Sequence, residues 1–181
     1  MTTPTFYVNS TEHAIGSVAD AKLILVEYGD FECPDCLEAY PHVKNWKQKF
    51  GDAICVVFRH MPLDQLYPIH PNATYAACVA EAAGMQGRFW EMHDMLFEHQ
   101  ADLSEEACIG YAETLGLSLE KFHEDVQSEA VKELVLDSVE RGESYGVTST
   151  PGFFIHGVLE KNSRDYAAIE AKLEELLAVT S

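Results

Sequence analysis

Cys33 and Cys36 stand in the segment Phe31-Glu-Cys-Pro-Asp-Cys36, behind an apolar run and ahead of a helical pattern. The pair therefore falls where a strand ends and a helix begins. A helix N-terminus presents unpaired backbone N–H groups and a partial positive charge. Both favour a thiolate, so a cysteine placed there ionises below a free thiol. Pro34 suits the first turn because it has no N–H to lose. The spacing puts both sulfurs within disulfide reach across that turn. We expect Cys33 as the exposed capping nucleophile and Cys36, one turn in, as the more buried resolving thiol. The chemistry is disulfide exchange through a mixed disulfide with a substrate.

The same pair could be a structural zinc site or two inert core thiols. Structural zinc takes four ligands, often from a second CxxC or an HxxxH. The other cysteines are Cys55, Cys78 and Cys108, and they form no second knuckle. Five cysteines, an odd number with only two close together, do not make a framework of structural disulfides. Cys55 and Cys78 are expected to be buried and inert, and Cys108 to be partly exposed on a helix. The eight histidines form neither HExxH nor a close i, i+4 pair in a ligand-rich setting. They are assigned structural or surface roles, and no metal is expected.

Two more residue groups bear on redox chemistry. Glu27 lies inside the apolar run Leu23 to Tyr28, six residues before Cys33. A carboxyl buried there is costly unless it has a task, and near a buried thiol it could take or give the exchanged proton. The alternative places Glu27 on an exposed strand face. Far along the chain, Thr148-Ser-Thr-Pro-Gly-Phe153 puts Thr150 and Pro151 directly before a strand. Proline is confined to strand starts and edges, and an X–Pro turn there can hold a cis bond.

The elements that must position these groups follow from periodicity. Lys22 to Tyr28 and Ala53 to Phe58 read as buried strands, with a helix from Cys33 to about Phe50 between them. A helix joining two strands makes them parallel in a right-handed βαβ unit. The proline-bearing loop Met61 to Pro71 marks a boundary. Helices follow over 72–84, 88–99, from Ser104, from Ser118 and over 129–145, with Ser104 as an N-cap. Gly152 to Ile155 and Val158-Leu159 are strands around a tight His156-Gly157 turn, and Tyr166 to Leu177 is an amphipathic helix.

The chain has 181 residues, with 30 acidic against 12 basic side chains, for a net charge of −18. That balance argues against nucleic acid and against anionic membrane surfaces. No apolar stretch approaches the roughly 20 residues of a membrane helix. The polar N-terminal residues lack the basic and apolar regions of a signal peptide. The sequence as it stands is thus expected in the cytoplasm, or in the periplasm if a leader was removed.

The ordered set of motifs resembles the DsbA-like branch of the thioredoxin superfamily, and most of all the thioredoxin-like domains attached to some sodium/proton antiporters. It comprises Leu25-Val-Glu-Tyr-Gly-Asp-Phe-Glu-Cys-Pro-Asp-Cys36, Phe58-Arg-His-Met-Pro-Leu63, His70-Pro-Asn-Ala73, Phe89-Trp-Glu-Met-His93 and Gly146-Val-Thr-Ser-Thr-Pro-Gly-Phe-Phe-Ile155. The resemblance implies an α/β thioredoxin fold, βαβ…ββα, with a helical insertion between the second and third main strands. It implies one domain over 1–181, with a core of about 15–61 and 146–181 and an insertion of about 62–145. It implies that Cys33 exchanges with substrate, that Cys36 resolves, and that Glu27 is the buried acid beneath them. It further implies that Thr150–Pro151 is cis and that the Thr150 backbone binds an extended substrate strand.

The expected substrates are protein or peptide thiols and disulfides. No cofactor is expected beyond the redox-active disulfide, with glutathione or a partner protein as reductant. Pro34 and Asp35 tune the pair. DsbA-type oxidants often carry His between the cysteines, and the carboxylate of Asp35 there should repel a thiolate. We expect a potential between the roughly −120 mV of DsbA and the roughly −270 mV of thioredoxin. Competing readings are a glutathione-dependent kappa-type transferase or isomerase, which commonly has Ser at the first cysteine position, and a non-catalytic interaction domain. Oxidase, reductase and isomerase can share every residue named.

Overall fold

The structure is a computed structural model and describes residues 6–9, 11–64 and 68–179. Five strands form one sheet in the order β1 (Ala14–Ile15), β3 (Ile54–His60), β2 (Leu23–Gly29), β4 (Gly152–Ile155), β5 (Val158–Leu159). Helix α1 (Pro34–Phe50) joins β2 to β3, and the two strands pair in parallel, with Glu27 opposite Phe58. On its other side β2 pairs antiparallel with β4, which sets Glu27 opposite Phe153. This is the α/β thioredoxin fold of βαβ and ββα halves. The short edge strand β1, antiparallel to β3, has no counterpart in the sequence reading. Two residues give too little periodicity to register.

Alternation along the strands divides the core. Leu23, Leu25, Ile54, Val56, Phe153 and Ile155 face α1 and the C-terminal helix α7 (Tyr166–Val179), packing on Trp46, Ile169 and Leu173. Val26, Tyr28, Cys55, Val57 and Phe154 point the other way, onto Met61, Leu63 and Val147. By the same period, Glu27 shares the α1 side of the sheet with Leu23 and Leu25. Gly29 ends β2 under a tight approach, since a Cβ there would lie 2.5 Å from the Phe58 ring.

Among the described residues five helices lie between β3 and β4: α2 (Ala73–Gly84), α3 (Phe89–Glu98), α4 (Glu105–Thr114), α5 (Leu119–Gln127) and α6 (Glu129–Ser144). Ser104, Ser118 and Ser128 cap α4, α5 and α6 through their side-chain oxygens. The Ala-rich face of α2 lets its neighbours close in, with Ala76, Ala80 and Ala83 fully buried. That cluster also takes in Phe31, Cys33, Cys36 and Phe58, so the helical block packs directly on the dithiol. In the 61–71 loop, residues 65–67 lie outside the described residues. His156 and Gly157 both take positive φ, 49° and 82°, in the β4–β5 turn. Such a pair forms the primed hairpin turn that matches strand twist. No helix among the described residues is long and apolar enough to cross a membrane.

Candidate active site

Cys33 is the N-cap of α1, with extended backbone, and Pro34 is the first helical residue. Its carbonyl accepts from the N–H groups of Cys36 and Leu37, each at 3.1 Å. The loop before it is held from three sides. The Asp30 carboxylate, 1% exposed, accepts from the backbone N–H of Glu32 at 2.8 Å and of Leu63 at 3.0 Å and pairs with His70 Nδ1 at 2.8 Å. Glu32 accepts from the backbone and side-chain N–H groups of Asn72. Gln100, just past α3, donates to the carbonyls of Phe31 and Cys33 at 2.8 and 3.0 Å. Sequence reasoning missed these supports. Only Asp30 and Glu32 adjoin the motif, and their partners lie about 30 to 70 residues away along the chain.

The two thiols differ in setting. Cys36 is fully buried. Burial, first of all, and the neighbouring Cys33 push its pKa well above that of an ordinary thiol. Cys33 is pulled down to about 6. A hydrogen bond from the Cys36 thiol is the largest single cause, against the effect of burial, and Thr150 and the N–H groups of Cys36 and Asp35 add to it. The exposure expected of Cys33 is corrected: only 5% of it is accessible. The helical block and the 148–151 turn close over it, neither of which a helix-cap argument includes. Cys108, expected to be partly exposed, is fully buried in the same helical cluster. Cys55 and Cys78 are buried thiols.

The Thr150–Pro151 bond is cis, and the Thr150 carbonyl lies 3.6 Å from Cys33 Sγ. Residues 117 apart are thus in contact at Cys33 Sγ. An open groove of about 370 Å³ runs past Pro151, between residues 146–152 and 159–164. Asp35 sits at its margin, paired with Arg164 at 2.7 Å. The cation offsets the carboxylate, so the repulsion expected of Asp35 is weakened while its backbone N–H still favours the thiolate.

Glu27 is 3% exposed, which excludes the exposed-face alternative. Burial, and then the charge of Cys33, raise its carboxyl to about 8. Its Oε1 has no hydrogen-bond partner. It borders a cavity of about 70 Å³ that is also lined by Tyr40, Lys44, Trp90, His93 and Asp94. The volume is enough to hold water.

This arrangement makes a direct prediction. In the reduced protein iodoacetamide should modify Cys33 and spare Cys36, with a rate half-maximal near pH 6. Mass spectrometry after timed alkylation from pH 4 to 9 reads both. Equal labelling of the two thiols, with a rate still climbing at pH 9, would contradict the geometry.

Elsewhere, two of the histidines given structural or surface roles by sequence meet on one carboxylate. His13 and His60 each place Nε2 2.9 Å from Glu81 Oε1. These partners are 68 and 21 residues apart, so no local spacing could reveal them.

A family model described as Thioredoxin matches residues 8–175. The chain is 41% identical over 157 residues to the Na(+)/H(+) antiporter NhaA 1 of Mycolicibacterium vanbaalenii, covering 86% of this chain and 25% of that protein. It is 40% identical over 155 residues to NhaA of Herminiimonas arsenicoxydans, covering 86% and 24%. The chain therefore spans about a quarter of the length of the curated relatives it matches. Among solved structures it is similar to the thiol-disulfide exchange protein alpha-DsbA2 of Wolbachia pipientis, with a TM-score of 0.79, 20% identity and coverage of 93% and 88%. Oxidised BdbD of Bacillus subtilis gives a TM-score of 0.77 at 22% identity, covering 92% and 93%. By the family match over nearly its whole length, and with a fold like that of DsbA-type proteins, the chain belongs to the thioredoxin family.

Proposed function

We propose that this protein is a thiol–disulfide oxidoreductase acting on protein or peptide substrates through Cys33 and Cys36. The observation that carries the reading is the pair of touching thiols whose pKa values are pushed in opposite directions. In the reducing direction, the Cys33 thiolate attacks a substrate disulfide. One S–S bond breaks, a mixed disulfide forms, and the first substrate thiolate leaves. Cys36 then loses its proton and displaces the second substrate thiolate, closing the Cys33–Cys36 disulfide. The resolving step needs a base, because Cys36 is the high-pKa thiol. Glu27 fits this role: it is a buried carboxyl near neutrality, its charge acts on Cys36, and the adjoining cavity gives it a route for protons.

The groove beside Pro151 would take the substrate backbone, with Thr150 against the reacting sulfur. The redox couple is the dithiol itself, recharged by glutathione or by a partner protein. We place its potential between those of DsbA and thioredoxin, with Pro34 and Asp35 between the sulfurs. The relatives named as antiporters carry a region like this chain within a longer protein.

The test is catalysis of insulin reduction with glutathione, together with oxidative refolding of a reduced disulfide protein. Turnover in either assay supports the reading. Inactivity in both would favour an interaction domain. Glutathione conjugation that survives Cys36→Ala would favour the kappa-type transferase.

A further inference from the structure

We propose that His13, His60 and Glu81 form a binding site for a divalent first-row transition metal, of which zinc is the natural candidate. The site is independent of the dithiol reading. Its three ligand atoms come from the segment before β1, the end of β3, and the C-terminal half of α2, and all lie within 4.8 Å of one another. Two imidazole nitrogens and one carboxylate oxygen are a ligand set that suits zinc and its neighbours. Three protein ligands also leave a fourth position for water or an exogenous ligand.

The geometry is close to what a cation requires. Zn–N distances of about 2.0–2.1 Å in a tetrahedral site put ligand atoms roughly 3.3 Å apart. Both Nε2 atoms stand 2.9 Å from Glu81 Oε1, so those two edges open by a few tenths of an ångström to admit the ion, while the two imidazoles, within 4.8 Å of each other, adjust to the same spacing. The rings are held in place from behind. His13 stacks on Phe89 with 3.4 Å between centroids. The His60 carbonyl accepts from the Ser138 hydroxyl at 2.9 Å. A cavity of about 180 Å³, lined also by Thr11, Ser138 and Arg141, meets all three ligands and provides an entry path. The positive charges nearby are already engaged. Arg59 is bound twice by Glu12, at 2.6 and 2.7 Å, and Arg141 lies 3.8 Å from the same carboxylate.

A second observation concerns His60 Nδ1, which is buried without a partner. Its ring neighbours are Phe31, Phe58 and Phe89. If a neutral His60 donates Nε2–H to Glu81, Nδ1 is a bare lone pair in that aromatic setting. If Nε2 ligates a cation, Nδ1 carries the proton instead, and an N–H tolerates aromatic faces better than a lone pair does. Metal binding at Nε2 thus places an N–H, rather than a bare lone pair, at Nδ1 among those rings. Without an outer acceptor on His60 the site lacks support worth about 10–100-fold in affinity. The ion should therefore exchange readily.

The test is titration of the full chain with cobalt(II), after chelator treatment, in a Cys33→Ser/Cys36→Ser background that removes the thiolate ligands. The expected result is one equivalent bound, with visible d–d bands and no sulfur charge-transfer band, displaced by zinc. His13→Ala, at the most exposed ligand, and the near-isosteric Glu81→Gln should each weaken binding at least about tenfold. Circular dichroism of each variant checks that it is folded. Absence of stoichiometric binding would overturn the proposal, as would binding that survives both ligand substitutions in folded protein. Cobalt that binds only when Cys33 and Cys36 are intact would also overturn it, by assigning the metal to the dithiol.

Discussion

Cys33→Ser is expected to reduce disulfide exchange at least about a thousandfold, the scale on which loss of an essential nucleophile falls. The reason is specific to the site. The hydroxyl of serine does not ionise near neutrality, so the hydrogen bond and N–H groups that pull Cys33 to about 6 would have no anion to stabilise. Cys36→Ser should behave differently. It keeps the attacking sulfur but removes the resolving one, so a substrate mixed disulfide on Cys33 should accumulate and be released by reductant. Cys36→Ala removes in addition the hydrogen bond that contributes most to the low Cys33 pKa, which a serine hydroxyl can still donate. Alkylation of Cys33 in this variant should therefore shift to higher pH. Non-reducing gels and intact mass spectrometry read the adduct. A Cys33→Ser protein with full turnover, or adducts on Cys36 in the wild-type chain, would refute the assigned order of attack.

Oxidised protein should lose stability as pH rises above about 4.5, and Glu27→Gln should abolish that loss. In the reduced chain the folded Glu27 carboxyl is raised from 4.5 to about 8, first by burial and then by the Cys33 charge. Oxidation removes the second cause and leaves burial, so the window opens at 4.5 and closes below about 8. Within that window the folded state holds a proton that the unfolded chain has released. Stability is thus fully present below the lower value and falls as pH climbs through the window, by up to about 1.4 kcal/mol per pH unit. The sum is on the order of several kcal/mol, a large part of an ordinary domain's margin.

Reduction adds a term of opposite sign. Cys33, lowered from 9 to about 6, contributes stability that is present above the higher value and lost as pH falls through the lower one. In the reduced protein the two effects should cancel between about 6 and 8. Stability should fall below that interval and rise above it. Buried His93, whose pKa is lowered by desolvation, acts within the same range, so the measurement that isolates Glu27 is the difference from Glu27→Gln. Urea midpoints at pH 5 and 8 on both oxidised proteins supply it. The same fall in both would show that Glu27 is not the group responsible.

The local part of this protein was legible because it depends on short-range rules. The strand from Leu23, the helix from Pro34 and the serine cap at 104 follow from periodicity and from unpaired helix-end groups. Glu27 could be singled out because a carboxyl within a β-branched apolar run has few exits. The position of Cys33 and Cys36 at a strand-to-helix junction was equally local. The resemblance supplied the long-range expectation that Thr150 and Pro151 would meet the dithiol.

What only the tertiary structure decided is how far each group is cut off from water and what it faces. A helix cap is exposed by default, yet Cys33 is buried because the helical block and the Thr150 turn close over it. The carboxylate of Asp35 repels a thiolate by proximity in sequence, but Arg164 from the far end of the chain stands against it. The Asp30, Glu32 and Gln100 anchors, and the meeting of His13, His60 and Glu81, join residues tens of positions apart. Sequence fixes residue type and local period. Burial and electrostatic partnership depend on contacts between distant segments, which exist only once the sheet and the helical block have packed.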